Sequence, residues 1–234
     1  MTLLAAFKLL LYRYTKLEDI IVGTANANRN HADTGNLIGF FINMLVMRTD
    51  LSGHPSFREL LQRVREVALD AYMHQDVPFE KIVEEMQIKR DAGNTPIFQV
   101  AFGVENARQP ASSIQNSQPI NLRGLTMTPF FFDTEVVRYD LTLWVKEGKD
   151  GFFGWWNYKT SLFDLASIKR INGHFVTLLQ SVIEQPDAKL EALEMFTESE
   201  KEQQASAQKS LAESKYQRLM AVKPQPVRPT ETYR

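Results

Sequence analysis

Residues 74–80 read His74-Gln75-Asp76-Val77-Pro78-Phe79-Glu80, a break set between two helical patterns. Upstream, Phe57, Leu60, Leu61, Val64, Val67, Ala68 and Ala71 recur along one face, with Arg58, Arg63, Arg65 and Glu66 on the other. That spacing predicts a long amphipathic helix over 56–75. A proline disfavours helical backbone in the residue before it and suits a first turn, so Val77-Pro78 ends this helix and starts a short second one running to Met86. At such a corner a histidine can cap the carbonyls of the finished helix, and an aspartate favours the N-terminus of the next. His74, Asp76 and Pro78 are therefore expected to shape the corner, although the usual titration range of histidine makes His74 the tempting acid-base candidate.

Outward from the corner, the chain alternates helical and extended patterns. Leu3, Leu4, Phe7, Leu10, Leu11 and Tyr14 recur at helical spacing from the first residues, without a Ser, Thr, Asp or Asn cap, which predicts an element that continues upstream. Asp19 to Ala25 has the composition of a short buried strand, and 26–36 that of a polar loop. The apolar run from Leu37 to Met47 is interrupted by Gly39 and Asn43. An asparagine inside such a run must find hydrogen-bond partners or cost about 1–3 kcal/mol. Beyond the corner, Ile97–Val104, Leu122–Phe132, Val136–Lys146 and Gly151–Tyr158 read as strands, the last two joined by the turn Gly148-Lys149-Asp150-Gly151. Helical spacing returns over 166–184 through Ile168, Ile171, Phe175, Leu178, Leu179 and Val182, and Pro186 stops it. Thr197-Glu198-Ser199-Glu200 has the form of a capping box before a polar helix, and 222–234 has little to bury. The pattern implies an α/β fold, a two-layer sandwich of mixed β-sheet and packed helices over 1–196, followed by a polar helical linker and proline-rich tail over 197–234.

Composition narrows the function classes. Lys+Arg total 27 against Asp+Glu 28, so no global field draws in nucleic acid or an anionic membrane. The absence of cysteine excludes disulfides, thiolate catalysis and Cys-ligated zinc, and suits a reducing cytoplasm. No basic region or cleavage site marks a signal peptide, and the longest apolar run falls short of the roughly 18 residues of a membrane span, so a soluble cytoplasmic protein is expected. His174 stands beside the apolar stripe of its helix with no ligand at metal-binding spacing, no phosphate-binding glycine loop is present, and Phe130-Phe131-Phe132 and Trp155-Trp156 are expected in strand core rather than as base-stacking platforms.

Three segments have the form of recognisable motifs. Residues 38–48, Ile-Gly-Phe-Phe-Ile-Asn-Met-Leu-Val-Met-Arg, are similar to I/V-G-x-F-V-N-T-x-x-x-R, with Ile42 and Met44 where Val and Thr are commoner. His74 to Glu80 matches H-Q-D-x-P-F-E completely. Arg90-Asp91, with Asn94, Pro96, Ile97, Phe98, Gln99 and Val100, resembles R-D-x-S-x-N-P-L-F-Q-V. In this order the three resemble the condensation domains of nonribosomal peptide synthetases. Leu4-Ala-Ala-Phe-Lys8, Ile20–Gly23, Tyr139-Asp-Leu-Thr-Leu143, Leu162-Phe-Asp164 and Gly173-His-Phe175 agree with the family's flanking elements, so the resemblance covers roughly residues 2 to 200.

The resemblance implies one chloramphenicol-acetyltransferase-like lobe of two, the C-terminal one, bordering a tunnel that admits phosphopantetheine arms of partner carrier proteins from opposite sides. It implies amide formation between carrier-bound thioesters and no directly bound cofactor. The family's His-His-x-x-x-Asp-Gly belongs to the other lobe and occurs nowhere here: His31, His54, His74 and His174 each lack a histidine neighbour. The expected partners are peptidyl or acyl carrier proteins and a complementary N-terminal lobe or a second copy, and no catalytic residue or metal ligand is assigned. By resemblance Met1 falls inside the connection between lobes, as in a split protein, an alternative start or a cut fragment. Asn43 is the tunnel-lining candidate, with satisfaction of neighbouring backbone as the alternative. Gly39, Arg48, Arg90 and Asp91, like the corner residues, are expected to pair or shape rather than react. The rival function is a noncatalytic carrier-docking or interaction module.

Overall fold

Helix α1 (Thr2–Thr15) starts without a side-chain cap and is buried on nearly every side, with Leu4, Ala5, Ala6, Phe7, Lys8, Leu9, Leu10 and Tyr12 all buried. The stripe read from the sequence is too narrow, because α1 lies on the sheet with α2 (Phe57–Met73) and α4 (Leu165–Glu184) also packed against it. The structure is a computed structural model that describes residues 1–30, 32–88, 95–105, 120–122, 124–127, 136–148 and 151–220. The chain divides into two units, Met1–Glu194 and Met195–Arg234.

In the first unit, β1 (Asp19–Asn26), β2 (Asn43–Asp50), β3 (Val100–Glu105), β6 (Leu141–Gly148) and β7 (Gly151–Tyr158) form one open sheet in the order β2-β1-β3-β6-β7. The inner pairs β1–β3 and β3–β6 are parallel and the outer pairs β1–β2 and β6–β7 antiparallel, so the sheet is mixed. With helices on it, this is the α/β two-layer arrangement expected. On the helix-covered face Phe7 sits 5.6 Å from Phe102, 6.0 Å from Trp156 and 6.4 Å from Phe175, ring centre to ring centre. A buried aromatic of this kind contributes roughly 1.5–3 kcal/mol by its transfer from water. The helices are capped as their sequences dictate: Ser56 and Glu59 form a reciprocal capping box on α2, and Asp164 accepts from Ser167 N–H on α4.

On the opposite face, among the described residues, Phe79 and Val83 of α3 (Phe79–Glu85) together with Phe98 pack against Ile21, Met44, Val46 and Tyr139. Gly23 makes room for Phe98: a Cβ there would lie 2.0 Å from its ring.

Several boundaries depart from expectation. Strand β3 begins at Val100 because Ile97 takes a left-handed φ of 72°, which no strand accommodates. The segment 122–132 is instead the hairpin β4 (Ile120–Leu122) and β5 (Leu125–Met127), turned at Gly124 with φ 76°, and 128–132 lie outside the described residues. Strand β6 begins at Leu141 rather than Val136, since 138–140 bend and Asp140 pairs with Lys159 at 2.6 Å. Strands β6 and β7 pair from Gly148 and Gly151 outward, and Lys149 and Asp150 of the expected turn lie outside the described residues. Asn43–Asp50, which the apolar run concealed, is a full strand. In the second unit Thr197 and Glu200 exchange capping bonds at the start of α5 (Glu198–Met220), a helix with no apolar face. The proline-rich tail beyond it, 221–234, lies outside the described residues.

Candidate functional site: the cleft at Asn43

Strands β1 and β2 end on the register pair Asn26 and Asn43, and both asparagines reach the corner between α2 and α3. Asn26 donates its side-chain amide to the Gln75 side chain. Asn43 Nδ2 donates to the carbonyls of Gln75 at 2.8 Å and Val77 at 2.7 Å, while its Oδ1 accepts the N–H of Phe79 at 3.0 Å and of Met44 at 3.0 Å. An amide has two donors and an acceptor with two lone pairs, so Asn43 is fully satisfied. Because Pro78 lacks an N–H and makes no side-chain cap bond, Asn43 caps the first turn of α3 from a position 36 residues upstream.

The same asparagine forms part of the wall of a cleft of about 340 Å³. Its apolar lining comes from Phe40, Phe41, Ile42, Met44, Pro78 and Phe79, and its polar lining from Asn28, Asn43, Asp76, Glu80 and Arg138. Phe40 of this lining is 84% exposed, and Ile38, two residues before it, is 105% exposed.

The other sequence-selected residues fall around this centre. His74 is the C-cap residue of α2, and its Nδ1 contacts the Asp70 carbonyl at 2.9 Å, out in solvent. Asp76 stands on the cleft wall. Arg48 lies at the far end of β2, bidentate on Asp19 at 2.9–3.1 Å and exposed. Gly39 is in the loop before β2, where a Cβ would come within 3.1 Å of Phe41. Arg90, Asp91 and Asn94 lie outside the described residues, as do His31 and Phe130–Phe132. His174 is buried and its Nδ1 lies 2.6 Å from the Tyr14 hydroxyl. Among the described residues no group of three His, Asp or Glu side chains could hold a metal, and no helix is long and apolar enough to cross a membrane.

Residues 1–205 match the family described as Condensation domain. The chain belongs to the condensation-domain family. It is 46% identical over 208 residues to a linear gramicidin synthase of Brevibacillus parabrevis, covering 87% of this chain and 4% of that one. To tyrocidine synthase 3 of the same organism it is 38% identical over 201 residues, covering 86% and 3%. The chain therefore spans only a few per cent of these peptide synthetases. Among solved structures it resembles the teicoplanin-biosynthesis X-domain in complex with OxyB, with TM-score 0.70 and 28% identity over 84% of this chain and 42% of that one. A four-domain nonribosomal peptide synthetase bound to AMP and glycine shares the fold, with TM-score 0.79 and 22% identity over 86% and 16%.

In this condensation-domain chain two groups matter that the sequence alone does not single out. Arg29 gathers the loop before β2: its guanidinium donates to the carbonyls of Thr34, Leu37 at 3.0 Å and Gly39 at 3.3 Å, and lies 4.2 Å from the Phe41 ring centre. Lys8 is completely buried in α1, donating to the carbonyls of Met47 at 2.6 Å and Ile20 at 3.3 Å and to Thr49 Oγ1 at 2.8 Å. Burial pushes its pKa down to about 7, against the pull of Asp19 in the other direction. A single lysine inside the apolar run 3–11 is the signal that could have found it.

Proposed function

We propose that this chain is the C-terminal, acceptor-side lobe of a nonribosomal peptide synthetase condensation domain, and that it supports amide formation between carrier-bound thioesters only with a lobe carrying His-His-x-x-x-Asp-Gly. The observation that carries this is a condensation-domain sequence over 1–205 in which that motif does not occur. In the reaction an acceptor amine attacks the donor thioester carbonyl, an amide forms and the donor thiol leaves. This lobe supplies wall and placement, and placement alone is worth up to about 7–11 kcal/mol in favourable intramolecular cases. Asn43 borders the tunnel with its carbon framework while its polar atoms hold the α2–α3 corner that forms the wall. Carrier proteins present their phosphopantetheine arms to it, in the cytoplasm, and 197–234 serves as linker and tail.

The test combines this chain with loaded donor and acceptor carriers, with and without a separately purified lobe bearing His-His-x-x-x-Asp-Gly. Amide product is expected only with both lobes, and turnover by this chain alone overturns the proposal. A second reading, a noncatalytic interaction module, draws support from the 28% likeness to an X-domain captured in complex with OxyB. Restored turnover in the two-lobe mixture rejects it.

A further inference from the structure

Strands β1 and β2 are antiparallel neighbours, and residues 27–42 join them where a hairpin loop commonly takes about 2–5. The loop has little to bury: over 35–42 only Phe41 is partly covered, while Leu37, Ile38, Phe40 and Ile42 are exposed. Outside a short 3-10 turn (Ala32–Thr34), and among the described residues, one backbone hydrogen bond is internal to it, from the Leu37 N–H to the Thr34 carbonyl at 3.3 Å. Ordering each residue costs backbone entropy, which such a segment must recover through few contacts. Arg29 supplies four of them. Its Nη1 donates to the carbonyls of Thr34 and, at 3.0 Å, Leu37; its Nη2 donates to Gly39 at 3.3 Å; and its Cζ stands 4.2 Å from the Phe41 ring centre. Only a planar cation with donors spread round its edge can serve three carbonyls and an aromatic face at once, whereas a lysine has one compact nitrogen and no plane to lay on a ring. Gly39 completes the seat, since a Cβ there would come within 3.1 Å of the same ring. Phe41 lines the cleft, and Arg29 is not among the lining residues.

We propose that Arg29 is a positioning residue of the reaction: it seats the Phe41 ring as cleft wall, and through that ring sets how tightly the acceptor is held. This rests on the reading of the chain as an acceptor-side lobe. Phe41 offers apolar surface and no group that could favour a transition state over a ground state. A ring that swings out of place therefore weakens the binding of both alike, which raises KM for the acceptor and leaves kcat where it was. Loss of folded chain does the opposite, lowering the apparent kcat at constant KM. If Arg29 acts through Phe41, removing either has the same consequence, and removing both adds nothing further. A guanidinium that merely tied the loop together would instead contribute independently of the ring, and the two losses would multiply.

The test is a double-variant cycle on the full chain with Arg29→Lys, Phe41→Leu and the two combined. Amide formation is measured with the complementary lobe and donor carrier saturating and the acceptor carrier varied, so that weaker association between lobes does not enter. Each single variant should raise KM for the acceptor carrier about tenfold, the scale of one ill-fitting apolar contact in a pocket, with kcat held within about twofold. The combined variant should match the single ones. Arg29→Lys with the wild-type KM, a loss carried by kcat, or effects that multiply in the combined variant overturns the proposal. A second measurement needs no turnover: in nitrogen-15 spectra of the chain alone, the Arg29 Nε–Hε resonance should be displaced by the ring current of Phe41 and return towards that of solvent-exposed arginines in Phe41→Leu. No amide from the wild-type chain with the added lobe sinks the proposed function. An Arg29 resonance that keeps its wild-type position in Phe41→Leu sinks this inference, whichever way the turnover assay falls.

Discussion

Around Phe7 and around Asn43 the fold is finished in opposite ways. At Phe7 apolar surface is closed by α1, α4 and the sheet, and Lys8, the charged side chain buried beside it, is held by three acceptors from β1 and β2. At Asn43 the amide itself is satisfied completely, yet Ile38, Phe40 and Ile42 before it in the chain remain open to solvent. The difference follows from what each kind of group requires. A buried amide must be satisfied by atoms within hydrogen-bond reach, so the chain has to provide them itself. Apolar surface can wait for any complementary surface, and an exposed cluster of it marks where one is expected. The Phe7 side is thus self-sufficient, and the Asn43 side is organised for contact.

The largest expected effect breaks the first half of this contrast. The folded-state pKa of Lys8, about 7, lies below its ordinary 10.5, so between these values the unfolded chain binds more protons than the folded one. Stability must then rise with pH across that window and carry the full penalty of charging below about 7. Chemical denaturation should show a gain on the order of 2 kcal/mol between about pH 7 and 9, a range that stays below the tyrosine titrations. Lys8→Met should flatten that slope. An equal slope in both proteins would mean that the ammonium is accommodated at no cost and that this interior is more polar than its residues indicate.

The next effect is of comparable size and belongs to the corner. Asn43→Leu keeps the branched shape, in a bulkier side chain, but strips four hydrogen bonds, leaving two carbonyls and the Phe79 N–H to find water at the cleft wall. A loss of about 1–3 kcal/mol is expected, measured as a lower denaturation midpoint. His74→Ala, which removes exposed contacts to the Asp70 carbonyl and carboxylate, should cost well under half as much. Should the two variants melt alike, Asn43 would not be the pin of the corner.

The corner is largely legible in the sequence because its cause is local. Val77-Pro78 fixes the break by backbone sterics, and the residues before and after it carry clear helical spacing. What joins the corner to the sheet is not legible, since Asn43 lies more than thirty positions away and nothing in a run of apolar residues says where its amide points. Strand β2 escapes for a related reason. Its burial alternates, but Met44 and Val46 on the second face are themselves covered by the Phe79–Phe98 cluster, so both faces are apolar and the alternation disappears from the sequence. Lys8 hides because a helical stripe describes a helix with one buried side, whereas a helix flanked by two others buries its whole circumference. Ile97 shows the limit of composition: a β-branched residue in a strand-like segment adopts a left-handed backbone, and the strand starts only at Val100.

The smallest effect on stability should fall on the open side, and its smallness is the point. Ile38 and Phe40 touch little of their own chain, so replacing both with Ser removes exposed apolar surface and should move the melting temperature by no more than surface substitutions do, within about 0.5 kcal/mol. If the open lip serves contact, the same double variant should lose any concentration-dependent self-association of the wild-type chain in light scattering. It should also lose the stabilisation conferred by an added complementary lobe, since anything that binds only the folded chain raises its apparent stability. Arg29→Ala supplies the intermediate case: it leaves Ile38 and Phe40 in place but releases the loop that displays them, and should weaken the same association without abolishing it. A double variant that melts like the wild type and still associates with the added lobe as strongly would place the contact elsewhere, and the exposed lip would then be ordinary surface.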